Sequence, residues 1–134
     1  MDEEKLNRLP ADVKKQFVKL AEKLTEKKQK TKVHDDFLTF VKHVWPEFIE
    51  GAHHKKIAEK FNDIANKKIK RLIINMPPRH TKSEFASFLL PAWMVGRRPN
   101  LKIIQSTHTT ELAIRFGRKA KTLMDSQEYK EVFD

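Results

Sequence analysis

The sequence contains no cysteine. It can therefore build neither a disulfide framework nor a thiolate metal site, which fits a reducing interior. Glycine is scarce, with three in 134 residues, at positions 51, 96 and 117. Long apolar runs are missing too: none approaches the roughly 20 residues that a bilayer-crossing helix needs. Met1 is followed by Asp-Glu-Glu and not by a basic and then apolar leader, so the chain reads as soluble and intracellular. What is present is charge, 34% of residues, alongside 39% hydrophobic residues, enough apolar content for a folded domain. The length suits one domain or a piece of something larger.

The net charge of +10 is unevenly spread. Residues 1–32 hold ten basic and six acidic side chains, residues 33–66 four and six, and residues 67–134 fourteen and six. Such clustering favours an anionic partner, because Lys and Arg release counterions from a phosphate backbone. A solvated basic surface explains the same numbers, so charge leaves both readings open.

LPADVKKQFVKLAEKLTEKKQK puts Val13, Phe17, Leu20 and Leu24 at helical steps, with Pro10 suited to a first turn. It predicts a lysine-rich amphipathic helix, followed by a solvated linker at Lys27–Lys32, together a first segment spanning 1–32. A packing or partner helix and a nucleic-acid arm both fit it. In HDDFLTFVKHVWPEF, Asp35 or Asp36 can cap a helix with Phe37, Phe40, Val41, Val44 and Trp45 on its apolar face, closed by Pro46. AHHKKIAEKFNDIAN sets Ile57, Phe61 and Ile64 on one stripe. His53 and His54, at its start, diverge by about 100° around a helix and do not easily share one metal; a surface or loop-packing role suits them better.

The pattern then changes. Leu72–Met76 is continuously apolar, as expected of a parallel strand covered on both faces. SEFASFLLPAWMV predicts a buried helix bent or interrupted by Pro91, Leu101–Ser106 a second strand, and ELAIRFGRKAKTLMDS a further core helix weakened by Gly117. Strand, helix, strand, helix implies an α/β fold with a parallel sheet, cut short at two strands. No internal repeat is visible.

Between the first strand and its helix lies NMPPRHTKSE, Asn75 to Glu84. A phosphate loop needs converging backbone N–H groups at a helix start, a lysine for the outer phosphates and a hydroxyl for magnesium. Lys82 and Ser83 stand where the last two belong. Met76 and Thr81 occupy the positions that glycine fills in G-x-x-x-x-G-K-[ST], so the generic pattern fails there. Pro77 and Pro78 can stiffen the loop without glycine, and Arg79 adds a planar donor for phosphoryl charge. A basic helix start that contacts nucleic-acid phosphate is the competing reading.

Several ordered blocks resemble one family: WPEF with HHKKIAEKF, RLIINMPPRHTKSE, PAWMVGRRPNLKII, and STHTTELAIRFGRKAKTLMDS with YKEVF. Over residues 34–134 they look like the large terminase subunits of tailed bacteriophages, the ATPase and nuclease of the DNA-packaging motor. In that family the PPRH-x-KS turn is an accepted variant of the ATP-binding loop. The resemblance implies a P-loop NTPase-like portion over 33–134, with ATP and Mg2+ as cofactors. Lys82 would contact the β- and γ-phosphates, Arg79 would sense or stabilise the γ-phosphate, Ser83 would ligate magnesium, and Pro78, His80 and Thr81 would supply loop backbone. The family usually has glycine where Thr81 stands. The segment from Trp45 to His54 resembles the part that packs near the adenine. Implied partners are double-stranded DNA, the portal protein, the small terminase subunit and further copies in a ring, in the cytoplasm of an infected bacterial host. The family's acidic strand and its nuclease carboxylates do not appear before Asp134. The chain is thus expected to be the amino-terminal part of such a subunit, inactive by itself.

Overall fold

A computed structural model describes residues 10–133. They divide into two compact units, with the boundary between Thr31 and Lys32. The element order is α1 (Ala11–Asp35), α2 (Phe37–Val44), α3 (Ala52–Ala65), α4 (Lys82–Glu84), a π-helical segment (Phe85–Leu89), α5 (Leu90–Arg97), α6 (Thr110–Asp125) and α7 (Gln127–Phe133). None of these helices is long and apolar enough to cross a membrane.

α1 runs without a break through Lys27–Lys32, where the sequence predicts a linker. Lysine is a good helix former, and nothing in KKQKTK interrupts the turn: the Thr31 hydroxyl donates back to the Lys27 carbonyl at 2.9 Å. The stripe Val13, Phe17, Leu20 and Leu24 is exposed by 39–57%. Its helical period is as read.

The second unit gathers around aromatic rings. Phe37 is fully buried and meets Phe61, Phe85 and Trp93 edge-on, at centroid distances of 5.1, 5.4 and 5.5 Å. Edge-to-face rings satisfy the aromatic quadrupole, and each buried Phe contributes about 1.5–3 kcal/mol through area alone. Four elements thereby meet at one side chain: α2, α3, the π segment and α5. The Trp93 indole N–H donates to the His34 carbonyl at 3.1 Å, closing the unit's first residues onto the core. α7 seals the far side. Tyr129 donates to the Ala92 carbonyl at 2.8 Å, and a Cβ on Gly96 would stand 2.6 Å from both Tyr129 Oη and the Phe133 ring. Glycine is needed there for close approach.

Pro91 is accommodated by widening, not by breaking. Proline cannot donate to the carbonyl four residues back, and its ring crowds that carbonyl. The π segment Phe85–Leu89 ends one residue before it, with the Leu90 N–H donating to the Phe85 carbonyl, and the helix then continues to Arg97.

The expected α/β fold with a P-loop NTPase-like parallel sheet is wrong for this chain: among the described residues there is no strand. Neither Lys70–Met76 nor Lys102–Ser106 enters a backbone–backbone hydrogen bond. A continuous apolar run marks a sandwiched strand only where a layer lies on each face and neighbours complete the ladder. Here Leu72, Ile74 and Met76 pack against the helical core while Ile73 is 87% exposed and Ile104 97%. One face is thus buried on helices and the other is bare.

Candidate functional site

The stretch from Pro77 to Glu84 follows the irregular Leu72–Met76 segment and ends with α4, and its residues line a cavity of about 270 Å³. Pro78, Arg79, His80, Thr81, Lys82 and Ser83, the residues singled out from the sequence, all line it. Two of them have left-handed backbones, Arg79 at φ 65° and Thr81 at φ 56°. That conformation is rare outside glycine and most strained for a β-branched side chain, so Thr81 occupies by force a position glycine fills freely.

The kinks have a consequence for the backbone. From Arg79 to Glu84 no amide N–H has an acceptor among the described residues. The first bond of the helix runs from the Phe85 N–H to the Thr81 carbonyl at 2.9 Å. Successive N–H groups around left-handed residues form a concave anion-binding nest, and those at a helix start add the positive end of its dipole. The Lys82 ammonium reaches back across the loop to the Met76 carbonyl at 3.3 Å. Among the described residues the Ser83 and Arg79 side chains have no hydrogen-bond partner. The carboxylate lining the cavity, Glu84, is held by Lys119 at 2.8 and 3.0 Å. The donor set of ammonium, guanidinium, hydroxyl and free amides suits a polyphosphate. A magnesium ion would find one protein hydroxyl here and would take its other ligands from phosphate and water.

His53 and His54, from the start of α3, stand beside the loop's own His80. The Gly51 N–H donates to His54 Nδ1 at 2.9 Å, which leaves the neutral ring's proton on Nε2. That Nε2–H donates to Thr81 Oγ1 at 2.5 Å, and the Thr81 hydroxyl in turn donates to the His80 carbonyl at 2.7 Å. His53 and His54 rings lie 3.8 Å apart, His53 and His80 5.7 Å apart. Burial first, then repulsion from His53 and, less, from His80, outweigh the pull of Glu50 and hold the His54 pKa below the usual imidazole value. Glu50 is itself gripped by Lys42 and Lys55. His80 Nδ1 donates to the Pro78 carbonyl at 2.9 Å.

His54 is the residue that sequence reasoning undervalued. It is 6% exposed, while the sequence left surface and loop-packing roles open. One signal was available: His54 is the third residue after Gly51, where a side chain folds back to the N-cap amide. Its reach to Thr81, 27 residues away, was not readable. Phe48 packs on both His54 and Phe85, at 4.8 and 5.4 Å, so the Trp45–His54 segment abuts the loop's helix. Trp45 is half-buried against Phe48. Among the described residues no group of three or more His, Cys, Asp or Glu side chains could hold a metal ion.

Comparison with known proteins yields no matching family model, no matching curated protein and no matching solved structure.

Proposed function

We propose that the Pro77–Glu84 loop binds the polyphosphate of ATP, and that the chain contributes this loop to a terminase-like motor that packages double-stranded DNA. The observation that carries the proposal is the run of unpaired amides from Arg79 to Glu84, with Lys82 lining the same cavity. Lys82 neutralises the outer phosphates, Arg79 meets charge that builds on the γ-phosphoryl group, and Ser83 offers its hydroxyl to magnesium. The blocks around WPEF, PPRHTKS and PAWMVGRRPN supply the family part of the reading. It takes no support from a sheet, which the described residues lack. Double-stranded DNA, a portal, a small terminase subunit and a ring of copies enter with that family part and stand or fall with it.

Calorimetry with ATP and magnesium tests the site. Lys82→Ala should weaken binding about 10- to 100-fold, the range for one charge-assisted contact, without changing the unfolding midpoint. Equal binding by both proteins would remove the loop assignment.

A second reading rests on a separate observation. The basic excess of residues 67–134 includes exposed Arg115, Arg118 and Lys121 on α6, which suit nucleic-acid phosphate without any nucleotide. Salt-dependent DNA binding indifferent to ATP and to Lys82→Ala would favour it.

A further inference from the structure

We infer that His54 is a positioning residue for the loop: its Nε2–H holds Thr81 in the left-handed conformation that turns the loop amides toward an anion. The functional half of this inference rests on the polyphosphate reading above; the mechanical half does not.

The argument begins with strain. A β-branched residue at φ 56° is costly and persists only where surrounding structure over-determines it. Around Thr81 the determinants are few. Its carbonyl accepts from Phe85 and its hydroxyl donates to the adjacent His80 carbonyl, both local bonds. The tie from Thr81 to a distant element is the 2.5 Å bond from His54. His54 in turn cannot drift, because the Gly51 amide pins its Nδ1 and the rings of Phe48 and Phe85 stand 4.8 and 5.1 Å away. The imidazole therefore works as a rigid spacer between the start of α3 and the start of α4. Burial and the neighbouring His53 and His80 favour the neutral ring, and the Gly51 bond to Nδ1 places its proton on Nε2. Thr81 also becomes intelligible: where glycine would adopt the left-handed backbone unaided, threonine adopts it with a hydroxyl that a second element can grip.

The two ring nitrogens can be separated by substitution. Asn places its amide near Nδ1 and keeps the Gly51 bond; Gln extends an N–H toward the Nε2 position and keeps the Thr81 bond. Trypsin cleavage after Arg79 and Lys82 reads loop order directly, and inorganic triphosphate reads its anion affinity. His54→Asn should speed cleavage and weaken triphosphate binding about five- to tenfold, the effect of one lost hydrogen bond. His54→Gln should restore both toward wild type. In a Thr81→Gly background, where the backbone no longer needs the grip, His54→Asn should change neither. The inference is overturned if Asn and Gln variants behave alike, or if His54→Asn speeds cleavage equally in both backgrounds. Thermal unfolding of each variant identifies any that has lost the fold, and the Gln variant then decides. If cleavage follows this pattern while triphosphate binding ignores Lys82→Ala, the brace stands and the nucleotide reading fails.

Discussion

Two helix starts in the second unit are built in opposite ways. At α2 the Asp36 carboxylate is saturated: it accepts from the Thr39 N–H at 2.8 Å, from the Thr39 hydroxyl at 2.6 Å and from Asn62 Nδ2 at 2.7 Å. Asn62 Oδ1 in turn accepts from the Phe37 N–H at 2.9 Å. At α4 six consecutive amides, Arg79 to Glu84, find no acceptor among the described residues, the N-cap is a strained threonine with no capping bond of its own, and the first turn carries Lys82. Helix ends normally find partners for their orphan groups. The first start uses its donors to lock α2 to α3 beneath Phe37. The second leaves them free, which is the arrangement of a site and not of a joint.

If that contrast is right, the two ends should fail differently. The largest effect is expected from Asp36→Ala, which removes the cap and strands the Thr39 amide and the Asn62 amide group beside the core. Chemical denaturation should show a loss of about 2–3 kcal/mol, with triphosphate affinity per folded molecule unchanged. A loss below about 0.5 kcal/mol would mean that the α2 start is no better secured than the α4 start. Asn62→Ala should cost less, about 1–2 kcal/mol, since Asp36 still caps Thr39 and one backbone amide loses its acceptor. Measured together, the pair should be non-additive, because they share one network.

The same contrast explains what could be read beforehand. Phe37, Phe40 and Val41 on α2, and Ile57 and Phe61 on α3, declared themselves by spacing, because helical period is a local property. The choice between Asp35 and Asp36 as cap needed the Asn62 contact, which is tertiary. Leu72–Met76 misled for a related reason: its apolar run says that it avoids water, not what shields it, and here helices shield one side only. On α1 the spacing gave the helix and its stripe, while what the half-exposed stripe packs against is not a local property and was not written in it. At the site, the loop's chemistry was legible in Arg79, Lys82 and Ser83 because it lies in consecutive residues. The backbone that arms it was not, because threonine gives no hint of a left-handed turn until His54 is seen beside it.

The smallest effect, and the finest test of the contrast, is in pH. Each helix start is held by a group whose pKa the fold lowers: Asp36 caps α2, and His54, on α3, grips the N-cap of α4. For Asp36 burial pushes upward, but hydrogen bonds from Thr39 and Asn62 outweigh it and hold the carboxyl below its ordinary 3.8. For His54 burial itself does the lowering, from 6.5. In each case the unfolded chain binds the proton more readily, so the stabilisation is complete above the unfolded value and is lost as pH falls toward and through the folded one. Stability should therefore decline first from near pH 6.5, through His54, and again in the carboxylate range, where Asp36 and Glu50, itself held below its ordinary 4.5, both contribute. His54→Gln should abolish the upper step and leave the lower, and Asp36→Asn should keep the upper step and shrink the lower. The steps also differ in consequence. The upper one should loosen the 77–84 loop, seen as faster exchange of the amides from His80 to Ser83, while α2 amides stay protected. The lower one should expose α2 itself. Loss of α2 protection already in the upper step would show that the two helix starts are one cooperative structure and not a joint and a site.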